Sequence, residues 1–488
     1  MSFPTLLLTI AVGVAAPGGP GATDLTCDGG HAAECTALGV LLAAGDGVAA
    51  DPARAAEFFR IACDGGDAKG CNGLGVLYFD GLGVAQDRVR ATEIYRQACE
   101  AAYPSACSNL ADAIISDRVA APDYRAAAAL YQKACALGSA YSCSKYGIAL
   151  GLGQGVDKDP ARALESVQRG CDGGDVTGCL AVGYVLVRGD GVPADAPQAQ
   201  AAFEKACALG SADACLELGA TYVPPAPIGG TDDDPYMAQI ATKAARSSFL
   251  EQACTFGSAD GCALYGRVLS KGSFAATNGA DAESYFQRAC TSWQRDCDAG
   301  VAASCTSLGV HHLSGEGVFV DEGKSADFFR RACDGGDLPG CVGLGVAFDR
   351  GAGVKHDTAA AQILFRRACS EGDALGCTYL GSSLASTDAP AGVVFLRQGC
   401  DGGSAQGCTL LGAMYAEGVV AETGGSSVLE LFQRACSGGD GEGCNWVGVL
   451  YGEGKLAPAD RAASQKYFLA GCELENEHAC ENLRSTLQ

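Results

Sequence analysis

The sequence predicts an all-α protein in which about twelve helical hairpins of 36 residues, linked by disulfides, stack into an α/α solenoid. Three observations predict this fold. The 27 cysteines return at a regular step of 36 residues, the apolar residues between them follow helical spacing, and glycine-rich turns separate the helical stretches. The hydrophobic content of 48% excludes a disordered chain.

Each repeating unit begins with a helix. In the second unit Leu74, Gly75 and Tyr78 follow Cys71 at intervals of three and four residues, so these side chains share one helical face. The segment Gly-Leu-Gly-Val at 81–84 then interrupts the pattern. We therefore predict a first helix that ends at a Gly-x-Gly turn.

A second helix completes the unit. Its apolar residues Ile94, Tyr95 and Ala98 again follow helical intervals and lead to Cys99. Turns of the form Cys-Asp-Gly-Gly-Asp join units, as at 63–67 and 333–337; their glycines suit helix C-caps and the second aspartate suits the next N-cap. Because such a hairpin cannot bury its apolar face alone, it must stack on its neighbours.

The start of the chain differs from the repeats. Residues 5–16 form an apolar run followed by small residues and proline, which predicts a signal peptide cleaved near Ala16 or Ala22. We expect a signal peptide at 1–22 and the solenoid at 23–488, with irregularities at 222–235, 290–297 and 384–392. The run is too short to span a membrane, and no later segment has span length.

Composition indicates the compartment and excludes two classes of partner. So many regularly placed cysteines predict disulfides and an oxidising compartment, so we expect a secreted or periplasmic protein. The net charge of -23 argues against nucleic acid and anionic membranes, because both would be repelled.

The cysteines fall into thirteen pairs separated by seven residues, with Cys290 left over. Geometry alone lets each first-helix cysteine bond either with the preceding second-helix cysteine or with the far cysteine of its own hairpin. The first scheme pairs 26 cysteines, whereas the second makes twelve bridges and leaves Cys27, Cys297 and Cys480 unpaired. We therefore predict these x7 pairs: Cys27 with Cys35, Cys63 with Cys71, Cys99 with Cys107, Cys135 with Cys143, Cys171 with Cys179, Cys207 with Cys215, Cys254 with Cys262, Cys297 with Cys305, Cys333 with Cys341, Cys369 with Cys377, Cys400 with Cys408, Cys436 with Cys444, and Cys472 with Cys480.

Cys290 and Cys297 are separated by two turns of one extended helix, about 10 Å, which is too far for a bond between them. The sequence leaves open which of the two is free. We assign Cys290 as the free thiol, packed as a small hydrophobe, with an intermolecular disulfide or a reactive thiol as the alternative.

The units resemble the Sel-1-like repeat, a relative of the tetratricopeptide repeat. The resemblance rests on the segment Leu-Gly-Val-Leu-Tyr at 74–78, the turn glycines Gly81 and Gly83, and the closing Tyr-Arg-Gln-Ala-Cys at 95–99. The added Cys-x7-Cys pair is similar to the Helicobacter cysteine-rich protein family. The resemblance implies a right-handed superhelix, the x7 disulfide pairing, and a concave groove lined by the first helices.

A groove of this kind predicts a scaffold that binds a peptide or protein, without a cofactor. The acidic balance favours a cationic or neutral partner. The Pro-rich acidic insertion at 224–235 is either a recognition loop or a tolerated surface insertion. The candidate binding residues are the non-core positions of the first helices: Asn72, Ser108, Asn109, Lys145, His311, His312, Tyr379, Asn445 and Trp446.

An enzymatic alternative rests on the resemblance. The cysteine-rich family has members described as penicillin-binding proteins or weak β-lactamases, which implies a β-lactam or peptidoglycan-related ligand. Ser142 and Lys145 have the Ser-x-x-Lys spacing of that chemistry and are its weak catalytic candidates, but no Ser-Asp-Asn or Lys-Thr-Gly element accompanies them. The histidines are scattered, and no His-Glu-x-x-His or Cys-x2-Cys spacing predicts a metal site. We therefore expect a scaffold rather than a β-lactam hydrolase.

Overall fold

The computed structural model describes residues 27, 31–116, 122–221, 235–270, 279–419, 427–454 and 459–487. The predicted signal peptide and residues 222–234 of the insertion lie outside these ranges. The chain divides into two compact units, residues 1–258 and 259–488. Within the described residues all regular secondary structure is helical, which confirms the predicted all-α class.

Unit 1 contains six hairpins. Their helices are α1 (Ala32–Ala44), α2 (Pro52–Asp64), α3 (Ala68–Asp80), α4 (Arg88–Glu100), α5 (Pro104–Ile115), α6 (Tyr124–Ala136), α7 (Ala140–Leu152), α8 (Pro160–Asp172), α9 (Val176–Arg188), α10 (Ala196–Ala208), α11 (Ala212–Thr221) and α12 (Pro235–Thr255).

Unit 2 contains six more hairpins and a final single helix. Its helices are α13 (Ala259–Ser270), α14 (Gly279–Asp298), α15 (Ala302–Ser314), α16 (Glu322–Asp334), α17 (Leu338–Arg350), α18 (Thr358–Ser370), α19 (Ala374–Ala385), α20 (Ala389–Asp401), α21 (Ala405–Ala416), α22 (Val428–Ser437), α23 (Gly441–Glu453), α24 (Arg461–Glu473) and α25 (Glu477–Leu487).

The turn between hairpins has the predicted capping chemistry. Between α16 and α17, Gly336 adopts a φ of 88°, a left-handed conformation that glycine accommodates without a Cβ penalty. The side chain of Asp337 then accepts from the backbone N–H of Gly340 at 3.0 Å, which caps the start of α17. The Asp-Gly-Gly-Asp sequence is therefore a helix stop followed by a helix start.

Most hairpins close around a glycine; the hairpin of α5 and α6 has Ala111 at that position. A Cβ atom placed on Gly345 of α17 would lie 2.5 Å from the ring of Phe365 on α18, so only glycine lets this aromatic ring pack directly on the helix backbone. The same contact recurs between Gly183 and Phe203 of unit 1. The glycine of the Leu-Gly pair thus determines how closely the two helices approach.

The odd-numbered helices are the first helices of the hairpins. Successive first helices contact each other, as α1 contacts α3 and α7 contacts α9 in unit 1, and as α15 contacts α17 and α21 contacts α23 in unit 2. Contacts between successive second helices are sparse by comparison. In each unit the first helices therefore form the inner layer of the stack and the second helices the outer layer.

The disulfides follow the x7 scheme. Apart from the first bridge, which joins Cys27 to α1, each joins the end of a second helix to the first turn of the next first helix. The Cα atoms of the twelve measured bridges are 4.4 to 5.3 Å apart. Cys254 and Cys262 are also disulfide-bonded, and Cys290 is the free cysteine of the described chain. The twelve measured bridges are Cys27 with Cys35, Cys63 with Cys71, Cys99 with Cys107, Cys135 with Cys143, Cys171 with Cys179, Cys207 with Cys215, Cys297 with Cys305, Cys333 with Cys341, Cys369 with Cys377, Cys400 with Cys408, Cys436 with Cys444, and Cys472 with Cys480.

Two sequence irregularities have simple structural forms. The extra residues before Cys297 lengthen α14 to 20 residues, so the helix continues past Cys290. The deletion near residue 388 leaves only Ser386, Thr387 and Asp388 between α19 and α20, and Asp388 caps α20 directly by accepting from Ala391 at 3.1 Å. Both changes therefore alter a hairpin without ending the stack.

Candidate functional site

The inner layer exposes a defined set of side chains in each unit. The residue two positions after each first-helix cysteine is at least partly exposed. The residue five positions after the cysteine lies one turn further along the same helical face. We call these two sets of residues the inner face. In unit 1 they include Asn109, Asp112, Lys145, Tyr184 and Glu217, and in unit 2 they include Tyr379, Leu410 and Trp446.

Four of the predicted binding residues lie on this face: Asn109, Lys145, Tyr379 and Trp446. Asn109 and the aromatic residues Tyr379 and Trp446 are partly exposed. Tyr379 stacks on Phe365 with ring centroids 5.4 Å apart, and Trp446 stacks on Phe432 at 5.6 Å. Each of these two aromatic side chains thus packs on a core ring and remains partly exposed.

Asparagines link neighbouring first helices. The Asn109 amide donates to the Asn72 side-chain oxygen at 2.9 Å, and Asn482 donates to Asn445 in the same way at 2.9 Å. Asn72 is partly exposed, whereas Asn445 is only 6% exposed. Asn445 is therefore buried, with its side-chain oxygen accepting from Asn482 in the contact between α23 and α25.

Ser108, proposed as a binding residue, is also buried. Its hydroxyl lies 2.6 Å from the Ser142 hydroxyl and donates to the carbonyl of Pro104 at 3.1 Å. The residue directly after the first-helix cysteine faces the neighbouring repeat in each of these cases. Sequence periodicity did not separate this position from the partly exposed position that follows it.

The two histidines occupy buried positions in α15. His311 Nδ1 lies 2.9 Å from the carbonyl oxygen of Glu316, and His312 Nδ1 lies 3.3 Å from that of Phe319. Both rings pack on aromatics, His311 on Trp293 and His312 on Phe328. Both side chains are therefore buried and contact the loop that follows their own helix.

The weak catalytic candidates are separated by their environments. Ser142 has no exposed surface, and its hydroxyl is bonded to Ser108. Lys145 is partly exposed, with its ammonium 5.2 Å from the ring centroid of Tyr141. A nucleophile must reach its substrate, and the buried hydroxyl of Ser142 does not meet that requirement in this structure.

A polar cluster that helical periodicity did not predict lies on the inner face of unit 1. The Tyr141 hydroxyl donates to the Asp112 carboxylate, 3.1 Å from each oxygen, and the Tyr131 hydroxyl donates to the same group. Burial raises the pKa of Asp112, although both tyrosine hydroxyls oppose that shift. The available signal was an aspartate where neighbouring units carry valine or isoleucine.

A repeated link between hairpins was missed as well. The Thr306 hydroxyl donates to the N-cap Asp337 at 2.6 Å, and Thr409 donates to Asp440 at 2.6 Å. The signal is a threonine 31 residues before a capping aspartate. Each such aspartate therefore caps its own helix and fixes the preceding first helix at the same time.

The described ranges hold no group of three or more His, Cys, Asp or Glu side chains arranged to bind a metal ion. In the same part of the chain, no helix is both long and apolar enough to cross a membrane.

The hairpins correspond to a known repeat. The family model described as Sel1 repeat matches nine segments, which together cover more than half of the chain. The chain belongs to the Sel1 repeat family. The matched segments are 35–67, 68–103, 104–139, 140–175, 176–211, 259–292, 302–337, 338–373 and 441–476.

Solved structures of Sel1 repeat proteins are similar to this chain. One is a protective antigen of uropathogenic Escherichia coli with an SLR fold, at 20% identity over 93% of this chain and 87% of the other, with a TM-score of 0.43. Another is a Sel1 repeat protein from Oxalobacter formigenes, at 27% identity over 44% of this chain and 88% of the other, with a TM-score of 0.38. The comparison with curated proteins found no match.

Membership in the Sel1 repeat family explains where each repeat begins and ends along the chain. Several matches run from the start of a first helix to the residue that caps the next one, as 338–373 does from α17 to Asp373. The Cys-x7-Cys bridges of this Sel1 repeat protein are consistent with the Helicobacter cysteine-rich type. The protein is thus a disulfide-linked Sel1 repeat scaffold.

Proposed function

We propose that this Sel1 repeat protein is a secreted or periplasmic scaffold that binds a peptide or protein on its inner face. The observation that carries the proposal is the line of partly exposed polar and aromatic side chains on successive first helices, such as Asn109 and Lys145 in unit 1 and Tyr379 and Trp446 in unit 2. Side chains repeated along a layer suit an extended partner that contacts several repeats at once.

The cysteines support the proposed compartment. Twenty-six of the 27 are disulfide-bonded, and structural disulfides persist in oxidising compartments. The net charge of -23 favours a cationic or neutral partner. The predicted signal peptide at 1–22 would supply the route of export.

The hydrolase alternative gains no support from the described residues. It requires an accessible serine next to a lysine, and Ser142 is buried against Ser108 while Lys145 lies over Tyr141. We therefore do not propose β-lactam binding or hydrolysis.

A photo-crosslinking experiment tests the scaffold. p-Benzoylphenylalanine replaces Tyr379 on the inner face or, as the matched control, Ile363 on α18, which is 70% exposed on a second helix. After irradiation in the native extracellular or periplasmic fraction, we expect a discrete adduct from position 379 and none from position 363. Equal adducts from both positions, or none from either, would contradict the proposal.

Export and oxidation have their own test. Intact mass of the protein purified from that fraction should lack the first 16 to 22 residues and should gain one label after alkylation under denaturing, non-reducing conditions. A chain with many alkylatable thiols would overturn the oxidising compartment.

A further inference from the structure

Asp112 places a carboxylate in an otherwise apolar line on the inner face of unit 1. It lies five residues after the first-helix cysteine, where neighbouring first helices carry Val40, Val76 and Ile148. The side chain of Asp112 is mostly but not fully buried. Partial burial strengthens its interaction with any charged group that reaches it.

The cluster around Asp112 can only accept further hydrogen bonds, because its tyrosine protons are already donated to the carboxylate. Tyr131 and Tyr141 each have one hydroxyl proton, and both donate it to Asp112. Burial, and then the charge of Asp112, raises the pKa of both tyrosines, so they stay neutral. Tyr131 is only 4% exposed and orients the carboxylate from the core, whereas Asp112 and Tyr141 are partly exposed. The remaining lone pairs of the Tyr141 oxygen and of the carboxylate therefore suit a ligand that brings several donors.

Charges of both signs lie around the cluster. After burial, Asp80 and Asp112 both raise the pKa of Tyr95, and Asp175 adds to the shift of the Tyr141 pKa. Lys145 is the cation that acts on Asp112, and its ammonium lies over the Tyr141 ring. This contact shows that the Tyr141 face accepts a cation.

We propose that Asp112 and Tyr141, with the buried Tyr131 positioning the carboxylate, form a receptor for the basic side chain of a peptide on the inner face, with arginine preferred over lysine. The planar guanidinium carries five donors in a fixed fork, so it can reach the carboxylate and a phenol oxygen together and still stack on an aromatic ring. The inference rests on the proposed function, since it names one subsite of the same inner face.

Selection from a random peptide library tests this subsite. Dodecapeptides displayed on phage are selected against the oxidised full chain, against Asp112→Asn and against Glu217→Gln. The Glu217 variant is the matched control, because it also removes one negative charge from the inner face and Glu217 also accepts from a tyrosine, Tyr184, at 3.1 Å. We expect arginine to be enriched with the wild type and with Glu217→Gln, but not with Asp112→Asn.

Calorimetry then measures the contact. A selected peptide should bind Asp112→Asn roughly tenfold or more weakly than the wild type, the usual size for a charge-assisted hydrogen bond. Replacing its arginine by citrulline should weaken binding to the wild type by a similar factor and change little in the variant. If circular dichroism shows that Asp112→Asn does not fold, Asp112→Val, which introduces the residue found at positions 40 and 76, takes its place.

Each outcome has a defined meaning. Selected peptides without basic enrichment, or equal loss of enrichment in the Asp112 and Glu217 variants, would overturn the receptor while leaving peptide binding intact. If the wild type selects no peptide at all, the proposed function fails and the receptor fails with it.

Discussion

At the scale of single residues, the carbonyl oxygen of Glu316 accepts hydrogen bonds from two buried side chains. His311 Nδ1 lies 2.9 Å from it and the Cys290 thiol 3.6 Å. Because a carbonyl only accepts, the neutral His311 ring carries its proton on Nδ1. The Glu316 carboxylate is paired with Arg267 at 3.1 Å, so the loop after α15 is held at both its backbone and its side chain.

Cys290 should be a slow nucleophile. Burial, with the charges of Glu283 and Glu316, raises the pKa of its thiol to about 11, so little thiolate exists near neutral pH. We expect N-ethylmaleimide to leave the native protein unlabelled at pH 7.5 and to add one label in guanidinium, as read by intact mass. Cys290→Ala should abolish that label. Rapid labelling of the native wild type would contradict the buried position.

His311 should make the loop sensitive to acid. Burial lowers its pKa below the ordinary value near 6.5, so an unfolded chain binds the proton more readily than the folded one. Stability that depends on neutral His311 is complete above about pH 6.5 and is lost as the pH falls through the lower folded pKa. We expect hydrogen exchange at residues 315–321, corrected for intrinsic rates, to be faster at pH 5 than at pH 7.5.

A substitution isolates the histidine. His311→Leu introduces the residue that α23 carries at the same position, Leu450, and should remove this pH dependence. The corresponding loop at 189–195 follows a helix with Val185 at the position of His311 and provides an internal control. Unchanged exchange in the wild type across this range, or equal pH dependence in His311→Leu, would count against the assignment.

At the scale of elements, glycine sets the distance between the helices of a hairpin. Gly345→Ala should gain up to about 1 kcal/mol of helix propensity but place a methyl group 2.5 Å from the Phe365 ring, which is 1% exposed and has no room to move. Overpacking of this kind costs about 1–3 kcal/mol, so we expect a net loss of about 1 kcal/mol.

Urea unfolding followed by circular dichroism measures this loss. Gly151→Ala is the matched control, because its Cβ would meet only Ala163 at an ordinary 3.7 Å, and it should be neutral or stabilising. A stabilised Gly345→Ala would show that the ring adjusts without penalty.

The threonine links should join neighbouring hairpins. Thr306→Val keeps the shape of the side chain but removes the 2.6 Å bond to Asp337, with an expected loss of about 1 kcal/mol. Valine is compatible with this position, since Val342 occupies it in the next repeat. Hydrogen exchange at the start of α17 should accelerate, whereas Ser307→Ala, at a partly exposed site, should leave it unchanged. Unaltered exchange in Thr306→Val would contradict the link.

At the scale of the whole molecule, the disulfides oppose local opening. A repeat stack has mainly nearest-neighbour contacts, and each bridge fastens one hairpin to the next by closing a short loop worth roughly 2–3 kcal/mol. We expect reduction and alkylation to lower the melting temperature by roughly tens of degrees and to broaden the transition. Mass spectrometry counts the bridges that remain. An unchanged melting curve after complete reduction would show that helix packing alone maintains the stack.

Helical periodicity in the sequence could not predict much of the candidate site. Helical spacing placed Asn109 and Asn445 on first helices, yet one is partly exposed and the other is buried, because their positions differ by one step around the helix. The role of Asp112 also depended on Tyr131 and Tyr141, which come from two other helices. A linear pattern identifies a helical face but not the neighbour against which that face packs.

The sequence by itself determined the repeat, its helices, its turns and the x7 spacing of its bridges. These features are local, since capping, helical spacing and a seven-residue cysteine interval all act within one unit or across one turn. The tertiary structure decided which polar side chains are buried in contacts between repeats and which remain exposed on the inner face. His311 and Ser142 are buried while Tyr379 and Trp446 stay partly exposed, because stacking of whole hairpins decides which surface of each helix is covered.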